Sequence, residues 1–217
     1  MFTKRNSLFV CETFSSIQGE GLYAGTPFYF IRLSGCNLRC RYCDTSYAWE
    51  RGKEIPVDIL VQGWRESGLR YVLITGGEPL LQPSVHALFE YLIRAGARCL
   101  LETNGSINLS LVPQEVVKVV DWKTPGSGSG ESFYRPNLRF IGKKDQIKFV
   151  ITSKSDYLWA LSHINQAGLP LFTNVLLSPC HGRINPKDLA SWMIRDGVEA
   201  RLQLQLHKII WGDRKGV

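Results

Sequence analysis

The apolar positions of this chain fall into short continuous runs, each bounded by glycine, proline or charged residues. Runs of this kind read as buried strands. They cover Phe28–Leu33, Tyr71–Thr75, Arg98–Glu102, Val116–Trp122, Gln146–Thr152, Leu171–Leu177 and Arg201–Leu206. Helix-like segments lie between several of them, near Val57–Ser67, Ser84–Ala95, Ser155–Gln166 and Pro186–Arg195, with Gly96, Gly168–Pro170 and Gly197 punctuating the junctions. Strands that alternate with helices predict an α/β fold with a parallel sheet and crossover helices. There is no internal repeat, and the low-complexity stretch TPGSGSG, Thr124–Gly130, reads as a flexible loop.

The unusual residues gather where these strands end. A loop holding Cys36, Cys40 and Cys43 follows the first strand, and TGGEP (Thr75, Gly76, Gly77, Glu78, Pro79) follows the second. Glu102-Thr103-Asn104-Gly105 closes the third and Asp121-Trp122-Lys123 the fourth; Ser178-Pro179 follows the sixth, and Gln205 and His207 end the seventh. In a βα barrel or partial barrel, active sites form at the carboxyl ends of the strands. Residues that are weak signals singly would there converge on one mouth.

The cysteine spacing, C-x3-C-x2-C, puts three thiolates on one turn. Most four-iron, four-sulfur clusters take four cysteines; three would leave one iron with an open position for a substrate or cofactor. A structural zinc site wants four ligands, and His86, His163, His181 and His207 are all remote in sequence. Cys11, Cys99 and Cys180 are scattered and read as structural thiols. In TGGEP, paired glycines permit close backbone approach, and Glu78 is suited to accept from an amine; the alternative is a plain turn into a helix. Asp44-Thr45 either caps a helix or sets the Thr45 hydroxyl as a hard-cation ligand. Glu20, set between two glycines, and Arg32, inside an apolar strand, read as functional groups rather than a surface ion pair, because a charge placed as Arg32 is needs a polar setting.

Composition narrows the class. At 217 residues and 44% hydrophobic, one substantial core is expected, burying about 70% of the unfolded surface, in one domain spanning 1–217. No apolar run reaches the ~18 residues of a membrane span, and the first residues lack a signal-peptide pattern. Six cysteines in a reduced state suit the cytoplasm. The net charge of +7 is spread over scattered pairs such as Arg39/Arg41 and Lys143–Lys144. With no long basic run or basic helix face to bind nucleic acid directly, it reads as a solvated basic surface or, equally well, as steering of an anionic small substrate.

CNLRCRYC with TGGEP resembles the radical S-adenosylmethionine (SAM) superfamily. More narrowly, ETFSSIQGEGLYAGTPFYFIRLSGCNLRCRYCDTSYAW, TGGEPLLQ, LETNGS, DWKTPGSG and LQLHKIIWG are similar to the 7-carboxy-7-deazaguanine synthase family across nearly the whole chain. The resemblance implies an abridged radical SAM fold, a partial (βα)6-type barrel, and a homodimer. It implies radical ring contraction of 6-carboxy-5,6,7,8-tetrahydropterin with loss of ammonia. A 4Fe–4S cluster, SAM, magnesium and an electron donor such as flavodoxin or ferredoxin come with it. By the same resemblance, Cys36, Cys40 and Cys43 hold the cluster and Thr45 the magnesium. Ile17, Gln18 and Gly19 present backbone to the pterin, within a substrate-binding segment 1–25. Glu20 reads the guanidine-like face of the pterin, while Arg32, Thr75, His207 and Val217, in a tail 208–217, contact substrate. Gly76, Gly77, Glu78, Lys123, Thr124, Pro125, Ser178, Pro179, Cys180 and His181 surround SAM. A glycyl-radical-enzyme activase shares the cysteine loop and TGGEP and is the rival enzyme. A zinc-stabilised basic module that binds RNA is the rival outside enzymes.

Overall fold

The structure, a computed structural model, describes residues 6–50, 52–212, 214 and 216. One nine-stranded sheet runs through it in the order β3-β1-β2-β4-β5-β6-β7-β8-β9. The strands are β1 (Ser7–Ile17), β2 (Pro27–Leu33), β3 (Lys53–Pro56), β4 (Tyr71–Gly76), β5 (Arg98–Thr103), β6 (Val117–Asp121), β7 (Gln146–Ile151), β8 (Asn174–Pro179) and β9 (Arg201–Leu202). From β2 to β9 every pairing is parallel. The order never returns to its start, so the barrel is partial, as the family resemblance implies.

Helices α1 (Val57–Ser67), α2 (Val85–Arg94), α3 (Lys154–Ala167) and α4 (Pro186–Arg195) match the expected segments, and a short α5 (Leu206–Trp211) ends the fold. Each end has a local cause. Gly68 and Gly168 close α1 and α3 in the left-handed region, and Ser153 and Asn185 cap α3 and α4 through their side-chain oxygens. Between β5 and β7 the crossovers contain only 3-10 turns, at Pro125–Ser127 and Arg135–Phe140.

Three readings need correction. The flank of the sheet is antiparallel: β1 pairs with both β2 and β3, and neither β1 nor β3 was expected. The run Leu171–Leu177 is a strand only from Asn174, because Leu169–Leu171 winds into a 3-10 turn. Arg201–Leu206 is a strand for two residues, and Gln205 and His207 sit at the start of α5, not at a strand end.

Side-chain alternation divides the sheet into two faces. Ile31, Leu33, Val72, Ile74, Leu101, Val120, Ile147 and Phe149 point to the helices and form the main core. The other face starts apolar, with Phe28, Phe30, Leu73, Leu100 and Val117 packed against Phe14, Tyr23 and Tyr71. Further along the same strands it turns polar, at Arg32, Thr75, Glu102, Asp121, Lys148 and Ser178. Register keeps these side by side: Arg32 opposes Thr75, Asp121 opposes Lys148, and Val150 opposes Ser178. Parallel pairing brings the carboxyl ends to one rim, and period two turns the polar residues inward.

Candidate active site

That rim opens into a cavity of about 440 Å³. Its lining includes Cys36, Cys40, Cys43, Thr45, Ile17, Gln18, Gly19, Glu20, Arg32, Thr75, Gly76, Gly77, Lys123, Ser178, Pro179, Cys180, His181 and His207. Widely separated segments of sequence are thus brought together. Glu78, Thr124 and Pro125 do not line it, and Val217 lies outside the described residues.

The cysteine loop is fastened to the end of β4. Gly77 N–H donates to Leu33 O (3.0 Å) and Glu78 N–H to Gly35 O (2.8 Å). A Cβ on Gly76 would overlap Leu33 O, and one on Gly77 would overlap Gly35 O. The double glycine is therefore needed for backbone-to-backbone contact, and the Gly77 and Glu78 amides already have partners. This corrects the expectation that the amides serve a ligand.

Glu78 is corrected likewise. Its side chain is 0% exposed and accepts from Thr103 Oγ1 (2.8 Å), Asn104 N (2.7 Å) and Leu80 N (3.1 Å). Burial pushes its carboxyl up, against the opposing pull of these bonds. Glu78 braces the β4 loop against the β5 loop; it does not face a ligand. Thr124 is also inward, bonded to Val150 O at 2.8 Å.

The three cysteines of the loop are free thiols, partly exposed. Burial pushes the Cys40 and Cys43 thiols up; Lys123 pulls the first down and the Thr45 backbone the second. Coordination would deprotonate them. Cys180 also lines the cavity; burial pushes its thiol up, Arg183 pulls it down, and Asp44 and Asp156 add to the rise. Among the described residues, no three His, Cys, Asp or Glu side chains form a site for one metal ion. Three thiols on one loop fit a polynuclear cluster with three protein ligands. Beside them, Tyr42 OH and Asp121 Oδ1 are buried with no hydrogen-bond partner among the described residues, and a polar cofactor bound there would supply one.

Glu20 is held from two sides. Lys148 Nζ lies 2.6 Å from Glu20 Oε2, and Gln205 Nε2 donates to Glu20 Oε1 at 2.8 Å. Lys148 is also 3.5 Å from Asp121 Oδ2, which Lys123 meets at 2.8 Å. Desolvation draws the Lys148 pKa down, but Glu20 and Asp121 outweigh it and hold it well above the ordinary lysine value. Arg32 is paired with Glu12 across the β1–β2 ladder (2.7 Å), and Tyr47 OH donates to the same carboxylate. Thr75 Oγ1 and Gln18 Nε2 both donate to Glu102, at 2.8 and 3.1 Å. Gln18 uses its backbone N–H and C=O within its own turn, and Gly19 O accepts from Leu206 N. A Cβ on Gly19 would overlap the His207 ring, which packs α5 against this loop. Thr45 Oγ1 donates to Asp44 Oδ1 (2.8 Å). Desolvation pushes the Asp44 carboxyl up, yet the Thr45 bond and Lys148, Lys208 and His207 hold it below the usual range.

Glu102, Asp121 and Gln205 belong to the polar residues at strand ends that were expected to converge on one mouth, without a role assigned to them, whereas Lys148 was not singled out. Lys148 carried the signal that marked Arg32, a charge inside an apolar strand. Among the described lining residues, cations (Arg32, Lys123, Lys148, Arg183, Lys208, Arg214) outnumber carboxylates (Glu20, Asp44, Glu102, Asp121), which favours anionic ligands.

The Radical SAM superfamily profile matches residues 30–122. The 7-carboxy-7-deazaguanine synthase of Koribacter versatilis is 42% identical, covering 96% of this chain and 99% of that protein. This chain belongs to the 7-carboxy-7-deazaguanine synthase family. Other members agree at lower identity: the Chlorobaculum tepidum protein at 39% (96% of each chain) and the Thermoplasma acidophilum protein at 35% (97% of this chain, all of that one). In fold, QueE from Escherichia coli superposes with a TM-score of 0.76 at 24% identity, covering 93% of this chain and 95% of that one. Streptococcus suis SuiB, solved with its precursor peptide SuiA, gives 0.57 at 12% identity, over 77% of this chain and 46% of SuiB. As a family member, the chain is a radical SAM lyase, and the family implies a 4Fe–4S cluster and SAM.

Proposed function

We propose that this chain converts 6-carboxy-5,6,7,8-tetrahydropterin to 7-carboxy-7-deazaguanine with loss of ammonia, in the biosynthesis of queuosine and other deazapurines. One observation carries the reading: the three-cysteine loop and the Glu20 loop line a single cavity at the carboxyl rim of the parallel strands. Cys36, Cys40 and Cys43 would hold the cluster, with Gly76, Gly77, Lys123 and Ser178–His181 around SAM. Bound together, cluster and SAM supply one-electron chemistry that removes a hydrogen atom from the substrate. The protein's own share is placement and charge. Glu20 offers two carboxylate oxygens to the paired N–H donors of the pterin, and Arg32 a planar cation for its carboxylate. Thr75 and His207 add hydroxyl and imidazole contacts. Thr45, with Asp44 beside it, offers hard oxygen ligands suited to magnesium.

The whole chain serves as one catalytic domain in the cytoplasm, supplied with electrons by a small redox protein. Among the described residues no helix is long and apolar enough to cross a membrane. A second copy would cover Leu202, Leu204, Ile209, Ile210 and Trp211, large apolar side chains exposed at the β9 edge and on α5. The activase reading loses ground because a protein substrate has no use for the Glu20–Lys148–Gln205 cluster.

The test is an oxygen-free assay of the iron-reconstituted chain with dithionite, SAM, magnesium and the pterin. A product with the mass and ultraviolet spectrum of 7-carboxy-7-deazaguanine is expected. SAM cleavage without that product would overturn the assignment.

A further inference from the structure

Strand β7 carries Lys148 on its inner face, between Gln146 and Val150, with its side chain 12% exposed. An ammonium is costly to place there unless it is paired, and its closest partner is Glu20 Oε2 at 2.6 Å. Gln205 holds the other oxygen from the opposite end of the chain. The loop itself is tied to the same two segments. Gly21 N–H donates to Gln203 Oε1 (2.7 Å), and Leu22 N–H donates to Gln146 Oε1 (2.8 Å). Glu20 stands between two glycines and outside any strand or helix, so backbone structure does little to aim its side chain.

A carboxylate has about four lone-pair sites, two on each oxygen. Lys148 takes one on Oε2 and Gln205 one on Oε1, leaving one acceptor on each oxygen in a common plane. Such a pair matches two parallel N–H donors and mismatches a ligand edge with only one.

We propose that Lys148 is a positioning residue that, with Gln205, fixes the plane of the Glu20 carboxylate and so sets selectivity for a substrate edge with two parallel N–H donors. The inference rests on the pterin reading above and deepens it. Asp121, 3.5 Å from the same ammonium, keeps Lys148 from swinging wholly to Glu20.

Equilibrium binding to the cluster-loaded chain, with SAM and magnesium present, tests this. Two probes serve: 6-carboxytetrahydropterin and its analogue without the 2-amino group. In Lys148→Met the pterin Kd should rise about ten- to a hundredfold, as for loss of a hydrogen bond to a charged group. The preference for pterin over the desamino analogue should shrink with it, while Lys148→Arg restores most of both. A side chain that merely packs would weaken both probes alike, and that result overturns the proposal. So does an unchanged pterin Kd in Lys148→Met. Should Lys148→Met fail to load its cluster, Gln205→Leu carries the test: reduced preference supports the proposal and unchanged preference overturns it. If the unaltered chain binds no pterin, the reading of the site has failed; if it binds and the variants do not differ, only this inference has.

Discussion

Cys40 occupies the middle of the cysteine loop, and replacing it with alanine leaves two thiolates for a cluster that needs three. Reconstituted Cys40→Ala should retain neither cluster absorbance nor SAM cleavage; iron and sulfide analysis checks this, and full loading would refute the ligand set. Glu20→Gln keeps the shape of the side chain but puts an amide where one acceptor stood, beside the buried Lys148 ammonium. Its pterin affinity should fall about tenfold or more, with SAM cleavage continuing out of step with product. Comparison of 5′-deoxyadenosine with product measures that ratio, and tight coupling would count against Glu20. At this scale the sequence was informative wherever a residue violated its surroundings. Three close cysteines, a glutamate between glycines and an arginine in an apolar strand all stand out locally. Lys148 stands out equally, but its partner Glu20 lies 128 positions away, and no local pattern joins them.

Elements explain why TGGEP and ETNG occur together. The β4 loop must touch the cysteine loop, which requires Gly76 and Gly77, and Glu78 then ties β4 to Thr103 and Asn104 after β5. Glu78→Gln turns an amide toward one of these donors and should cost about 1–3 kcal/mol, seen as a melting temperature several degrees lower; an unchanged midpoint would contradict the brace. On β6, desolvation pushes the Asp121 carboxyl up, but Lys123 and Lys148 outweigh it and hold it below the usual range. A carboxyl lowered by folding adds stability above its unfolded value, lost as pH falls through the folded one. Asp121→Asn should therefore flatten the acid limb of the stability curve below about pH 4, and an unaltered slope would speak against the network. The parallel strands were legible because they are apolar on both faces for most of their length. Strand β1 was not, since no residue past Val10 is buried and Glu12, Thr13, Ser15 and Ser16 interrupt its apolar positions. Helix α5 was hidden because six residues carry too little periodicity, and its position follows from contacts with the Gly19 loop.

For the molecule as a whole, a single open sheet carries both halves of the chemistry. Strands β2 and β4 bring the cysteine loop, β5 to β8 bring the polar rim, and the segment after β9 closes the wall with His207 and Lys208. The excess of cations over carboxylates around that rim places part of the net positive charge at the cavity. Fold class was readable from alternating strands and helices, whereas the antiparallel flank depends on pairings between distant segments. The central claim is that three sulfurs hold a cluster whose remaining iron is open toward the cavity. Paramagnetic resonance of the reduced, reconstituted chain, recorded before and after SAM is added, tests it directly. About four iron and four sulfide per chain are expected, with a spectrum that changes when SAM binds. A cluster indifferent to SAM, or zinc in place of iron and sulfide, would contradict it.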